Sequence, residues 1–196
     1  IAEKSHANGA LNPRAQYQTH MTVDDILNDH EVLTPFTRSM CAPVSDGAAA
    51  AIFVSQSELL KLPAEVRERA IPVLACELAG GQRTTWEEVG PTQRAAQRAY
   101  RTANCHPRDI DVIELHDATS FAELIHLEEL GLCEPGDGVR LIRSGATRLD
   151  GRQPVNPSGG LISKGHPLAA SGLAMLSEVA TQLRSGAKQR QIKANG

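Results

Sequence analysis

No apolar run in the sequence reaches the roughly 18 residues of a membrane span. The N-terminus has no charged-then-apolar signal pattern, so no membrane span is expected and a cytoplasmic location is. The four cysteines, Cys41, Cys76, Cys105 and Cys133, form no Cys-x-x-Cys pair, which argues against a zinc ribbon or disulfide framework and for reduced, packed thiols. A basic excess is missing too: the formal net charge is -3, and nothing in it calls for nucleic acid. Apolar residues make up 41% and charged residues 22%, an ordinary globular balance that excludes disorder and fibrous repeats. A chain of 196 residues suffices for one well-filled domain, or for one domain with an extension. It begins at Ile1 rather than methionine and ends at Ala194-Asn195-Gly196 just after an expected surface turn, the pattern of a piece of something longer.

What is present is an alternation of short apolar stretches with helical patterns. Residues 1 to 20, with Asn8, Gly9, Asn12 and Pro13, have no sustained period and read as loop. Thr22 is an N-cap candidate, with Asp24 and Asp25 in the first turn of a short helix running to about His30, before Thr34-Pro35. Ile52-Phe53-Val54, residues 71–79 and residues 109–115 predict strands. Residues 56–69 predict a helical segment interrupted near Pro63, and a loop surrounds Trp86. Pro91 opens a helix to about Asn104 with its arginines outward, and a helix from Phe121 to Leu130 is stopped by Gly131. Asp150-Gly151 predicts a two-residue hairpin turn. Strands alternating with helices predict an α/β layer, parallel or mixed.

The richest stretch runs from Asn156 to Gly172. Gly159, Gly160 and Gly165 permit backbone angles closed to other residues and close approach of a ligand to the main chain. Pro167 suits a first helical position, and Leu173, Leu176, Val179, Ala180 and Leu183 then follow a helical period. His166 is thereby expected at a helix N-terminus, which favours neutral imidazole. His116-Asp117-Ala118 follows the 109–115 strand, at the carboxyl end where open α/β folds collect ligands. Singly, either histidine reads as a cap or a packed ring, and Asp117 as an N-terminal helix cap. Together with the glycine loop, the two histidines could hold an acyl carbonyl oxygen with one N–H while the other imidazole removes a proton from a nucleophile. Lys164 precedes Gly165 and no Gly-Lys-Ser/Thr follows, so a P-loop is excluded. His116 with Asp117, and Cys105 with His106, are adjacent pairs rather than metal ligands at helical spacing.

Four segments then carry a resemblance: residues 43–50, Glu114-Leu115-His116-Asp117-Ala118, Glu129-Leu130-Gly131-Leu132-Cys133, and the loop 156–172. Together they resemble the C-terminal half of a thiolase, closest to the sterol carrier protein x (lipid-transfer-protein-type) branch, over about residues 20 to 185. The resemblance implies an α/β thiolase fold of αβαβα layers acting on acyl-coenzyme A. Residues 1–40 would be the end of the loop or insertion domain, and residues 41–196 the C-terminal domain, truncated before its last strands. By likeness His166 activates the nucleophilic cysteine and His116 helps form an oxyanion hole for the thioester carbonyl. Asn156, Gly160 and Gly165 shape the loop, and Ala118 lines the pantetheine tunnel. Coenzyme A enters as substrate, with no bound cofactor. A homodimer or homotetramer is implied, as is a small OB-fold zinc-ribbon partner protein.

Three departures from the family pattern stand out. None of the four cysteines lies in the nucleophile context, which thiolases carry in the N-terminal half. Ala169 stands where Gly-His-Pro-x-Gly prefers glycine, and its methyl is expected to narrow the pocket or shift the loop. Thr119 replaces a common aromatic residue and is expected to make the pocket wall shorter and more polar. The leading expectation is CoA-dependent retro-Claisen cleavage of a 3-oxoacyl-CoA in β-oxidation-like lipid metabolism. A thiolase-like aldolase of steroid side-chain degradation and a non-catalytic thiolase-like subunit are the alternatives.

Overall fold

The computed structural model describes residues 1–81, 85 and 88–193. The loop expected around Trp86 lies outside the described residues. The chain begins with α1 (Ala2–Ala10), α2 (Val23–Leu27) and the antiparallel hairpin β1 (Glu31–Leu33) and β2 (Phe36–Thr37). It continues through α3 (Gln56–Leu59), α4 (Ala64–Glu68), α5 (Pro91–Ala103), α6 (Ser120–Glu129), α7 (Gly138–Arg143), α8 (Gly160–Lys164) and α9 (Ser171–Leu183).

Local signals account for several of these elements. Thr22 caps α2 in a reciprocal box with Asp25: the Asp25 N–H reaches the Thr22 hydroxyl at 3.1 Å, and the Thr22 N–H reaches the Asp25 carboxylate at 2.8 Å. Pro63 separates α3 from α4 as expected. At the end of α6, Gly131 has φ +71; its N–H donates to Glu128 O, and the Leu132 N–H reaches back to Leu127 O at 3.0 Å, a full Schellman cap. This cap turns Leu132 back onto the core, where it packs with Ile113, Leu115, Leu127, Leu141, Ala146 and Val155. Ile113 and Leu115 belong to the segment that delivers His116, so the core anchors the candidate site directly.

Two expectations need correction. Residues 1 to 20 are not all loop, because α1 occupies Ala2–Ala10. Its buried residues include Lys4, Ser5, His6 and Asn8, so its inner face is polar and an apolar periodicity cannot reveal it. The Lys4 ammonium bonds Glu123 Oε1 at 2.5 Å and Val155 O at 2.9 Å, and Asn8 Nδ2 donates to Asn156 O at 3.0 Å. The strands expected at Ile52-Phe53-Val54, 71–79 and 109–115 form no ladder among the described residues; three isolated bridges occur instead, Cys41 with Thr119, Val44 with His166 and Ile113 with Val155. A strand needs a hydrogen-bonded neighbour, and Ile52 and Phe53 are 94% and 64% exposed with none. Around residues 75–79 the period of two survives without a partner: Ala75, Glu77 and Ala79 are half-buried while Cys76 and Leu78 are exposed.

The expected outward arginines of α5 are partly engaged, since Arg94 donates to Val89 O and Gly80 O at 2.6 and 2.7 Å. The reversal at Asp150-Gly151 is wider than a two-residue hairpin, closed by Gln153 N–H on Ala146 O and Val155 N–H on Thr147 O.

The Lys4–Glu123 pair is 5% and 0% exposed, so removing one partner strands a charge. Lys4→Met is expected to lower unfolding free energy by about 3–5 kcal/mol in denaturant titrations, and Lys4→Met/Glu123→Gln to recover more than half of that loss.

Candidate active site

The site is assembled where the segment ending at His116 meets the glycine loop. The Ile113 N–H bonds Pro154 O at 3.0 Å and the Asn156 N–H bonds Ile113 O at 2.7 Å, the start of a parallel pairing. The backbone then turns away at Asn156, with φ +53, a conformation asparagine tolerates. Its side chain takes over the ladder: Oδ1 accepts from the Leu115 N–H at 2.9 Å, while Nδ2 donates to Glu123 at 3.1 Å. Asn156 is fully buried, so its amide serves the scaffold on both sides. Next to it, Glu114 receives the Ser158 N–H at 2.9 Å and the Ser158 hydroxyl at 2.7 Å, with the Lys164 ammonium 3.5 Å away. Burial pushes the Glu114 carboxyl up.

These staples bring His116 and His166 together. Their ring centroids lie 4.8 Å apart with planes at 84°, edge to face. His166 Nδ1 is 2.8 Å from Ser171 Oγ, and that hydroxyl donates to Pro167 O at 3.0 Å. With its one proton committed to the carbonyl, Ser171 accepts from Nδ1–H, which leaves Nε2 of a neutral His166 as the free acceptor. Partial burial, and then the neighbouring His116, hold the His166 pKa below the ordinary imidazole value. A helix N-terminus is not the cause, because α9 begins at Ser171 and Pro167 lies in the turn before it rather than at a first helical position.

The remaining expected residues take distinct places. Ala118 is half-buried, and its carbonyl accepts the Ala42 N–H at 2.9 Å. Gly160, at φ +61, lies against the Asp117 carboxyl, which occupies the space any Cβ would need. Gly165, at φ +105, ends α8 against Ser45. Asp117 does cap a helix, but not the one it precedes: its Oδ1 accepts the Leu161 N–H of α8 at 2.6 Å, whereas α6 is capped by Thr119 through the Ala122 N–H at 3.2 Å. The Thr119 hydroxyl oxygen thus accepts from its own helix.

Ala169 has φ +66 and is exposed, so glycine suits this position for its backbone. The apolar side of α9 is open, with Leu173, Leu176 and Leu183 at 36%, 37% and 45% exposed. Its buried side carries Glu178, which pairs with Arg190, and Gln182, whose amide donates to Arg190 O at 2.8 Å.

Residues 41–45 span both histidine loops. Cys41 bridges Thr119, and the His166 N–H reaches both Pro43 O and Ser45 Oγ at 3.2 Å. Ser171 was missed; its one signal is a serine five residues after His166, in reach only if the chain coils between them. Burial pushes the Cys41 and Cys133 thiols up, so neither is a ready thiolate at neutral pH. The cleft formed by Glu68–Ile71 with the end of α9 contains neither histidine. Among the described residues, no group of three histidine, cysteine or acidic side chains is arranged to hold a metal, and no helix is long and apolar enough to cross a membrane.

Residues 77–195 match the family described as thiolase C-terminal domain-like. The chain belongs to the thiolase family, as a C-terminal-type domain. It is 40% identical over 200 residues to sterol carrier protein 2 of Homo sapiens, covering 98% of this chain and 36% of that protein. It is 39% identical over 194 residues to acetyl-CoA acetyltransferase of Methanothermobacter thermautotrophicus, covering 96% of this chain and 50% of that protein. Benzoylsuccinyl-CoA thiolase subunit BbsB of Thauera aromatica is 30% identical over 199 residues, covering 98% of this chain and 50% of that protein. The chain thus spans about a third to a half of the length of these relatives. The solved Ltp2-ChsH2(DUF35) aldolase has the same fold, with TM-score 0.78 at 22% identity over 98% of this chain and 52% of that one. The fold is thiolase-like.

Ala169→Gly is expected to raise the unfolding free energy by up to about 1 kcal/mol by relieving the left-handed backbone of an exposed residue. A higher denaturant midpoint with an unchanged slope would be the signature.

Proposed function

We propose that this chain supplies the histidine pair of a thiolase-type acyl-CoA acyltransferase that cleaves a 3-oxoacyl-CoA with coenzyme A. The observation that carries the reading is the geometry of His166, its Nδ1 2.8 Å from Ser171 Oγ and its ring 4.8 Å from that of His116. In this reading Nε2 of His166 takes the proton of a cysteine thiol contributed from outside this chain, and the thiolate attacks the C3 carbonyl. The C2–C3 bond then breaks, leaving the acyl group on sulfur, and its electron pair moves onto the thioester carbonyl oxygen, which the His116 N–H stabilises. The enolate takes up at C2 the proton that His166 removed from the thiol, becoming acetyl-CoA and leaving His166 neutral again. Coenzyme A, deprotonated by His166, attacks the acyl-cysteine and leaves as the shortened acyl-CoA, returning the thiol.

Ala118 lines the substrate-side wall beside these rings in this reading, and Asn156, Gly160 and Gly165 act from behind by shaping the loop. Residues 1–40 are the end of the loop domain and residues 41–196 the C-terminal domain. The acyl-CoA substrate is met by a homodimer or homotetramer, and a small OB-fold zinc-ribbon protein is a further partner in this branch.

A second reading is a thiolase-like aldolase of steroid side-chain degradation, against which the retention of both histidines counts. The two differ in products: thiolysis consumes free coenzyme A and yields two thioesters, whereas aldol cleavage yields a carbonyl compound without consuming it. A third outcome, no turnover by a folded complete protein, would favour a non-catalytic subunit.

The deciding assay is CoA-dependent cleavage of 3-oxoacyl-CoA substrates by the complete protein. Activity is expected, with His166→Ala lowering kcat by about two to four decades; a folded protein that cleaves none of a chain-length series with coenzyme A would sink the proposal. Because the His166 pKa is held down, kcat/KM should fall on the acid side with an apparent pKa below about 6.5. His116→Asn keeps an N–H donor but removes the neighbouring imidazole, so this limb is expected to move upward in pH.

A further inference from the structure

We infer that Asp117 is a positioning residue: its carboxyl latches the segment carrying His116 onto the glycine loop carrying His166, and so sets the separation of the two rings. The inference rests on the acyltransferase reading for its kinetic consequences, but its geometry stands alone. Asp117 follows His116 directly, and the two side chains go opposite ways: His116 is exposed and Asp117 is fully buried. Asp117 Oδ1 accepts the Leu161 N–H at 2.6 Å, a direct hydrogen bond from the segment 116–118 to the segment 160–166. From Leu161, one short helix, α8, leads to Gly165 and His166. A shift at the Leu161 end is therefore passed along a single rigid arm to the second ring.

The loop is shaped to receive this carboxyl. Gly160 is buried at φ +61, and a side chain there would collide with both Asp117 oxygens. The missing side chain thus makes room for a scaffold carboxyl rather than for a ligand. The second oxygen, Oδ2, is buried with no hydrogen-bond partner, whereas nearby Glu123 is paired with Lys4 and bonded by Asn156. Burial and then the Glu123 charge hold the Asp117 pKa well above the ordinary carboxylate range. Lys4 is committed to Glu123 and Val155 O, so Asp117 holds the loop through its accepting oxygen. The latch accordingly works through an accepting oxygen of the right reach, not through charge.

This separates a positioning role from a charged one, because Asp117→Asn keeps the accepting oxygen and Asp117→Ala removes it. In the complete protein, Asp117→Ala is expected to lower kcat by about a hundredfold with KM little changed, as misplacement of catalytic groups does. Its acid limb should move up toward about 6.5 as the rings separate. Asp117→Asn should keep kcat within about tenfold and leave the limb in place. Histidine ring NMR titration of the same proteins reads the latch without turnover: His166 should titrate below the ordinary value in the parent and the Asn variant, and rise in the Ala variant. If the protein proves not to be a thiolase, the NMR titration still decides the latch. An Asn variant as impaired as Ala while folded, or a folded Ala variant with an unmoved His166 titration, overturns the inference; should Ala not fold, the Asn result stands by itself.

Discussion

The side chain of Asn156 is the joint on which the site depends. A parallel pairing begins at Ile113 and Val155 and would carry the chain onward as strand, but the left-handed backbone at Asn156 ends it and frees the chain to form the glycine loop. A buried N–H cannot be left without an acceptor, and the Asn156 amide oxygen supplies one to Leu115. One residue thus ends a strand-like pairing and still holds the two segments in register. Everything carried beyond the joint inherits that register, His116 on one side and His166 on the other.

Around the joint the packing is unusually polar. Lys4, Asn8 and Asn12 come from the start of the chain and bond Glu123, Asn156 O and Ser158 O from behind, while Glu114 and Asp117 bond the loop from in front. The apolar core, centred on the wholly buried Leu127, lies below this layer and fixes the height of the 113–115 segment. Polar contacts with directional geometry then define the loop. A buried network of this kind specifies one arrangement because each misalignment leaves a desolvated group unpaired. The edge-to-face ring geometry and the Ser171-oriented Nδ1 are the readable result at the surface of that network.

Where signals were local, the sequence was legible. Thr22 with Asp25, Pro63, Pro91 and Gly131 each mark an element end through their own backbone chemistry, and the helices start or stop there. The two histidines were singled out by their neighbours, and they do meet. Features built from distant residues were not legible: α1 hides behind a polar inner face, Asp117 caps a helix 44 residues away, and residues 41–45 bridge both loops. The left-handed backbone at Ala169 was not legible either.

By itself, then, the sequence determined which residues could carry chemistry and where most helices begin and end, because glycine, proline and capping side chains act within a few residues of themselves. Tertiary structure alone decided which of those residues touch, which carboxyls burial pushes above their ordinary range, and which imidazole nitrogen meets a hydroxyl. These depend on burial and on partners brought from tens of residues away, and no local pattern encodes either.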